Sequence, residues 1–150
     1  VRVVFDSNVL VAALVFPGGK ADRAMARVVD GSDRLIVSTP IIHEVLGVLS
    51  RKFSKDREQL ARVAVFLADT GEHIESTHRT SVLVDEPDNR ILECAMSGKA
   101  DAIVTGDKAM LRLGQYKDIY HDPAGISGPA ILFPETRTVP LAAHRPLVIY

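Results

Sequence analysis

Val3-Val4-Phe5-Asp6-Ser7-Asn8 decides the fold, with its counterpart Ala102-Ile103-Val104-Thr105-Gly106-Asp107-Lys108. Each is an apolar run that breaks abruptly at an acidic residue. Short apolar runs of this kind read as buried strands. Asp6 and Asp107 then lie just past the carboxyl ends of two strands. Between the two stretches, strand and helix signals alternate, which argues for an α/β fold: a central, mainly parallel sheet between two layers of helices.

The remaining elements follow from periodicity and punctuation. Ser7 is expected to cap a short helix through Ala13, ended by Pro17-Gly18-Gly19. Ala21 to Val29 has helical spacing, and Leu35-Ile36-Val37 reads as a strand. Thr39-Pro40 pairs an N-cap with a proline at the first helical position, so a helix is expected through about Phe53. Its apolar face carries Ile42, Val45, Leu46 and Leu49. A helix from Lys55 to Asp69, short strands near Ile74 and at Val82-Leu83-Val84, and a helix from Asp88 to Ser97 come next. A strand over 102–105 and a short helix over 107–113 complete the unit. From Asp122 the pattern changes: five prolines with little periodicity mark residues 122–150 as a tail, packed on the domain or on a dimer partner. Within it Ala130-Ile131-Leu132-Phe133 has the character of an edge strand.

With 150 residues, 47% hydrophobic and 25% charged, the chain has the composition of one ordinary globular domain. A net charge of −1 offers no global field for nucleic acid, so a phosphate-bearing partner must be held locally. Arg23, Arg27, Arg51, Lys52, Lys55 and Arg57 are candidates for a basic rim. The single cysteine, Cys94, allows no internal disulfide, which fits a reducing cytoplasm. There is no run of about 20 apolar residues, and Val1-Arg2-Val3-Val4 reads as the start of a strand rather than a signal peptide, so no membrane association is expected.

Two more acids complete the pattern. Glu44 lies near the start of the Thr39 helix, and Asp88 opens the helix after Asp85-Glu86-Pro87. In an open α/β sheet, strand carboxyl ends and the helices after them face one crevice, where ligands bind. Asp6, Glu44, Asp88 and Asp107 are thereby expected to share that crevice. Four carboxylates repel, and a hard divalent cation with oxygen ligands is the usual compensation. Ser7 and Asn8 are placed to hold Asp6 by hydrogen bonds. Gly106 permits a tight strand-to-helix turn that brings Thr105 and Asp107 to the crevice floor. Lys108 and Arg90 can offset part of the charge. The five histidines show no metal-ligand spacing and no Ser-His-Asp set is evident.

Taken together, these motifs resemble the PIN-domain ribonucleases, particularly the VapC-like toxin components of bacterial and archaeal toxin–antitoxin pairs. The resemblance runs through Phe5 to Leu14, Phe16 to Gly19, Ser38 to Val45, Asp85 to Ala95 and Ala100 to Lys108, and spans about residues 2–121. It implies a PIN-like three-layer α/β/α sandwich over 1–121, and it matches Asp6, Glu44, Asp88 and Asp107 to the family's acidic catalytic and metal site. It further implies Mg²⁺ or Mn²⁺, polar support from Asn8 and Thr105, and an RNA substrate. A cognate antitoxin that inhibits cleavage and a homodimer are implied as well. The faces around Ile42, Leu46 and Leu49, and Ile131-Leu132-Phe133 in the tail, are candidate docking surfaces. The chain departs from the family at Ala109, where relatives often carry an acidic or polar residue, and in its proline-rich tail. The same acids also suit a DNA nuclease, a phosphatase or a non-catalytic cation-binding regulatory domain.

Overall fold

The computed structural model describes residues 2–113 and 130–131. The elements are β1 (Arg2–Phe5), α1 (Ser7–Val15), α2 (Lys20–Val29), β2 (Arg34–Val37), α3 (Thr39–Phe53), α4 (Arg57–Thr70), β3 (Glu72–His73), α5 (Glu86–Ser97), β4 (Ala102–Val104), α6 (Lys108–Leu113) and β5 (Ala130–Ile131). The strands form one all-parallel sheet in the order β3-β2-β1-β4-β5, flanked by the helices. The α/β expectation is met, and β5 shows that two residues of the proline-rich segment join the sheet beside β4. The rest of residues 114–150 lies outside the described residues.

The three inner strands are continuous apolar runs because both of their faces are covered. Val4, Leu35 and Ile103 are fully buried at their centres. Around them pack Leu10 of α1, Met25 of α2, Ile41, Val45 and Leu49 of α3, Leu67 of α4, and Ile91 and Leu92 of α5. Leu49 is therefore core rather than a docking surface, and Ile42 packs against that core. Gly98, just past α5, passes so close to β2 that an added Cβ would sit 2.4 Å from the Ile36 side chain. The chain turns there without room for another atom.

Several local expectations change. Asp6, not Ser7, is the N-cap of α1, its carboxylate accepting from the Asn8 amide. α4 starts at Arg57 behind an Asp56–Gln59 capping box. β3 forms at Glu72–His73, ahead of Ile74, whose amide donates to Val37 O. No strand forms at Val82-Leu83-Val84. Leu83 instead has both backbone groups bound by the side chain of Asn89, and Val82 and Val84 are exposed. A strand needs a neighbouring backbone, and here a helix side chain takes that place.

Candidate functional site

The strand order shows where a crevice must open. From β1 the chain runs outward to β2 and β3, then returns to lay β4 on the other side of β1. The reversal falls between β1 and β4, and ligand sites of open α/β sheets lie beyond the strand ends at such a reversal. Asp6 follows β1 at that point, and Thr105, Gly106 and Asp107 follow β4.

One hydroxyl joins the two strand ends. Thr105 Oγ1 donates to Asp6 Oδ2 at 2.6 Å and accepts from the Asp107 amide at 3.0 Å. Asp6 Oδ1 accepts from the backbone amide of Asn8 at 3.1 Å. Support from Asn8 thus comes from its main chain, while the residue itself is exposed. Asp6 is only 4% exposed. Burial raises its pKa above the ordinary carboxylate value, the Thr105 and Asn8 hydrogen bonds oppose that rise, and the negative charge of Asp107 adds to it.

Asp107 also caps α6: its Oδ1 accepts from the amides of Ala109 and Met110 at 2.8 and 2.9 Å. Gly106 is exposed, with open space where a Cβ would be and no left-handed backbone, so the turn itself does not demand glycine. Lys108 is exposed at the start of α6.

Glu44 lies in the second turn of α3 and is half-buried. Ser7 Oγ donates to Glu44 Oε2 at 2.7 Å, which ties α3 to the start of α1. Ser7 thus serves Glu44 rather than Asp6.

Asp88 is the third residue of α5, whose N-cap is Asp85. Its pKa is pushed up to about 6, first by burial and then by the charges of Asp107, Asp6, Asp85 and Glu44. The other three anticipated acids therefore all act on Asp88, and Asp85 is a fourth acid that does so. Among the described residues, no three carboxylate, imidazole or thiolate groups converge closely enough to hold a metal ion as they stand. The donor set itself is all oxygen and anionic, the chemistry that hard cations take.

Two residues of the anticipated basic rim lie away from this crevice. Arg51 and Lys52 occupy the last turn of α3, roughly 18 Å along the axis from the end that follows β2. Arg27 pairs with Asp33 at 2.7 Å. Cys94 is fully buried in α5, its thiol pKa raised to about 11 by that burial, as suits packing rather than chemistry. His43 is exposed, and His73 shares a hydrogen bond with Thr39 at 2.9 Å.

Residues 2–109 match the sequence profile of the PIN domain. The chain belongs to the PIN-domain family. A curated relative, "Uncharacterized protein MJ1680" of Methanocaldococcus jannaschii, is 26% identical over 117 residues, which are 75% of each chain. Among solved structures, this PIN domain is similar to the crystal structure of VapBC2 from Rickettsia felis bound to a DNA fragment from their promoter. The TM-score is 0.56 at 13% identity, covering 88% of this chain and 98% of that one. At that identity the likeness is one of fold. No helix among the described residues of this PIN domain is long and apolar enough to cross a membrane.

Proposed function

We propose that this PIN domain is a metal-dependent endoribonuclease, acting as the toxin of a toxin–antitoxin pair, with Asp6, Glu44, Asp88 and Asp107 as its site. The observation that carries this reading is the gathering of acids beside the β1–β4 reversal, where burial first, and then the charges of Asp107, Asp6, Asp85 and Glu44, push the Asp88 pKa up to about 6. Uncompensated repulsion of that size is costly in a site with no other use for it.

Mg²⁺ or Mn²⁺ held by those four carboxylates would supply positive charge to the phosphodiester and lower the pKa of a bound water. The chain's own residues prepare the site. Thr105 fixes Asp6 Oδ2 and the Asp107 backbone in one relation. Ser7 fixes Glu44. Asn8 contributes its amide, and the role assigned to exposed Lys108, beside Asp107, is to meet substrate phosphate. The nuclease unit comprises residues 1–121, with 122–150 as a tail. The VapBC2 likeness supports an antitoxin as partner. An acidic crevice attracts a cationic segment, since a guanidinium pairs carboxylates bidentately. Exposed Val65 on α4 offers apolar surface for that partner or for a second copy in a homodimer.

The test is to incubate the purified chain with single-stranded RNA, hairpin RNA, single-stranded DNA and a phosphomonoester, each with Mn²⁺, Mg²⁺ or EDTA. RNA cleavage that needs the metal is expected. Turnover of only DNA or the phosphomonoester would replace the substrate, and turnover of RNA in EDTA would remove the metal.

A further inference from the structure

The face of α5 opposite the sheet carries a second, separate arrangement of buried polar groups. Asn89, Glu93 and Ser97 are spaced i, i+4, i+8 and so line one face of the helix. Each binds the backbone of the segment 77–83, which crosses that face. Ser97 Oγ accepts from the Thr77 and His78 amides at 3.0 and 3.3 Å. Glu93 Oε1 accepts from the Thr80 amide at 2.9 Å. Asn89 pairs with both backbone groups of Leu83, at 3.0 and 2.9 Å.

Glu93 is 0% exposed, yet it is not isolated. Arg79, reaching in from the segment, lies 3.2 Å from Oε2, and Arg90 of α5 lies 3.2 Å from Oε1. Arg90 also pairs with Glu86, so the charge chain continues to the first residue of the helix. That first turn lacks the usual fastening, because Asp85 makes no side-chain cap bond. It also gathers Asp85, Glu86 and Asp88 at one helix end. The Glu86–Arg90–Glu93 chain and the Asn89–Leu83 pairing are what hold the turn that presents Asp88.

We propose that segment 77–83 is a strap that positions Asp88 by clamping α5 from behind, with Glu93 and Asn89 as its positioning residues. The idea rests on the nuclease reading insofar as Asp88 acts in cleavage; the clamp itself does not. The side-chain bonds of both residues go to the segment and to α5 itself. Their role is to fix the helix end from which Asp88 projects, so that loosening the strap disorders that end while the sheet stays intact.

Arg79→Met tests this with a side chain that is 72% exposed and leaves folding little affected. Hydrogen exchange in residues 86–90 is expected to accelerate about tenfold, with exchange in β1 and β4 unchanged. For RNA cleavage with Mn²⁺, kcat is expected to fall about tenfold while KM for RNA stays within about twofold, and Arg79→Lys is expected to restore both. Glu93→Gln, which keeps shape and removes charge, should act in the same direction more strongly. Equal acceleration of exchange in β1 and β4 would show a general stabilising role and overturn the proposal. So would unchanged exchange at 86–90, or a loosened 86–90 with kcat intact. A wild-type chain that cleaves nothing would sink the nuclease reading alone, and exchange at 86–90 would then decide the strap.

Discussion

Helix α5 carries two acids five residues apart in opposite circumstances. Glu93 is wholly buried, and two guanidinium groups and an amide surround it. Asp88 is less buried, and its electrostatic neighbours are all acids. Burial alone would rank Glu93 as the costlier charge, but partners reverse the ranking. A folded protein tolerates a buried carboxylate when it supplies donors, and it strains at a half-buried one when it supplies more carboxylates. The first arrangement is what structure needs; the second makes sense where something from outside completes it.

That contrast is open to breaking. The largest effect is expected at the crevice: Asp6→Asn or Asp107→Asn should lower single-turnover RNA cleavage by about 100-fold or more, roughly 3 kcal/mol in barrier. Because asparagine keeps the shape and still caps a helix, melting temperatures should not fall. Retained, EDTA-insensitive cleavage by either variant would falsify the metal mechanism.

Glu93→Ala comes next. It leaves Arg90 and the Thr80 amide without their carboxylate and opens a hole, at about 3 kcal/mol in urea denaturation. A loss below about 1 kcal/mol would mean that the clamp is ornamental.

Asp88→Asn should act with the opposite sign and stabilise the fold at pH 7 by about 1 kcal/mol after solvent screening, a gain of some 2–4 °C in Tm. The folded pKa of about 6 lies above the ordinary 3.8, so the folded chain holds the Asp88 proton more tightly. Stability from this group therefore rises as pH falls from 7 through 6 and levels off near 4, where the advantage of asparagine disappears. Asp6, also raised, has the same sign. Asp33 and Glu72 are lowered by Arg27 and Arg2, and they lose stability only as pH drops below the ordinary carboxylate range. Thermal melts from pH 7.5 to 4 should show the crossover, and a variant advantage that persists at pH 4 would exclude this account. The smallest effect belongs to the exposed Glu58–Arg62 pair on α4, where Glu58→Ala should cost under about 0.5 kcal/mol.

The sheet was legible because its inner strands, Val3–Phe5, Leu35–Val37 and Ala102–Val104, are buried on both faces and so are apolar without interruption. The start of α3 was legible from Thr39-Pro40, and the four acids from their places after strands and at helix starts. The strap was not. Val82-Leu83-Val84 has the composition of a strand, and only the side chain of Asn89 makes it something else. The signal was present in Asn89, Glu93 and Ser97, three polar residues at helical spacing inside a helix whose other positions are largely apolar. The roles of Ser7 and Asn8 were legible as polar support but not their partners, because a hydroxyl's choice of acceptor depends on the distant turn of α3 that meets it.

The central place of β1 has a consequence in time. Its far neighbour β4 ends at Val104, and the hydroxyl that fixes Asp6 lies 99 residues downstream of it. A chain emerging from the ribosome carries Asp6 long before it carries Thr105 or Asp107. Pairings so distant in sequence form late and slowly. The crevice therefore cannot assemble on an unfinished chain, and a truncated product that stops before residue 102 lacks Asp107 and the Thr105 hydroxyl that fixes Asp6. Whatever chemistry these acids perform is withheld until synthesis of the domain is almost complete.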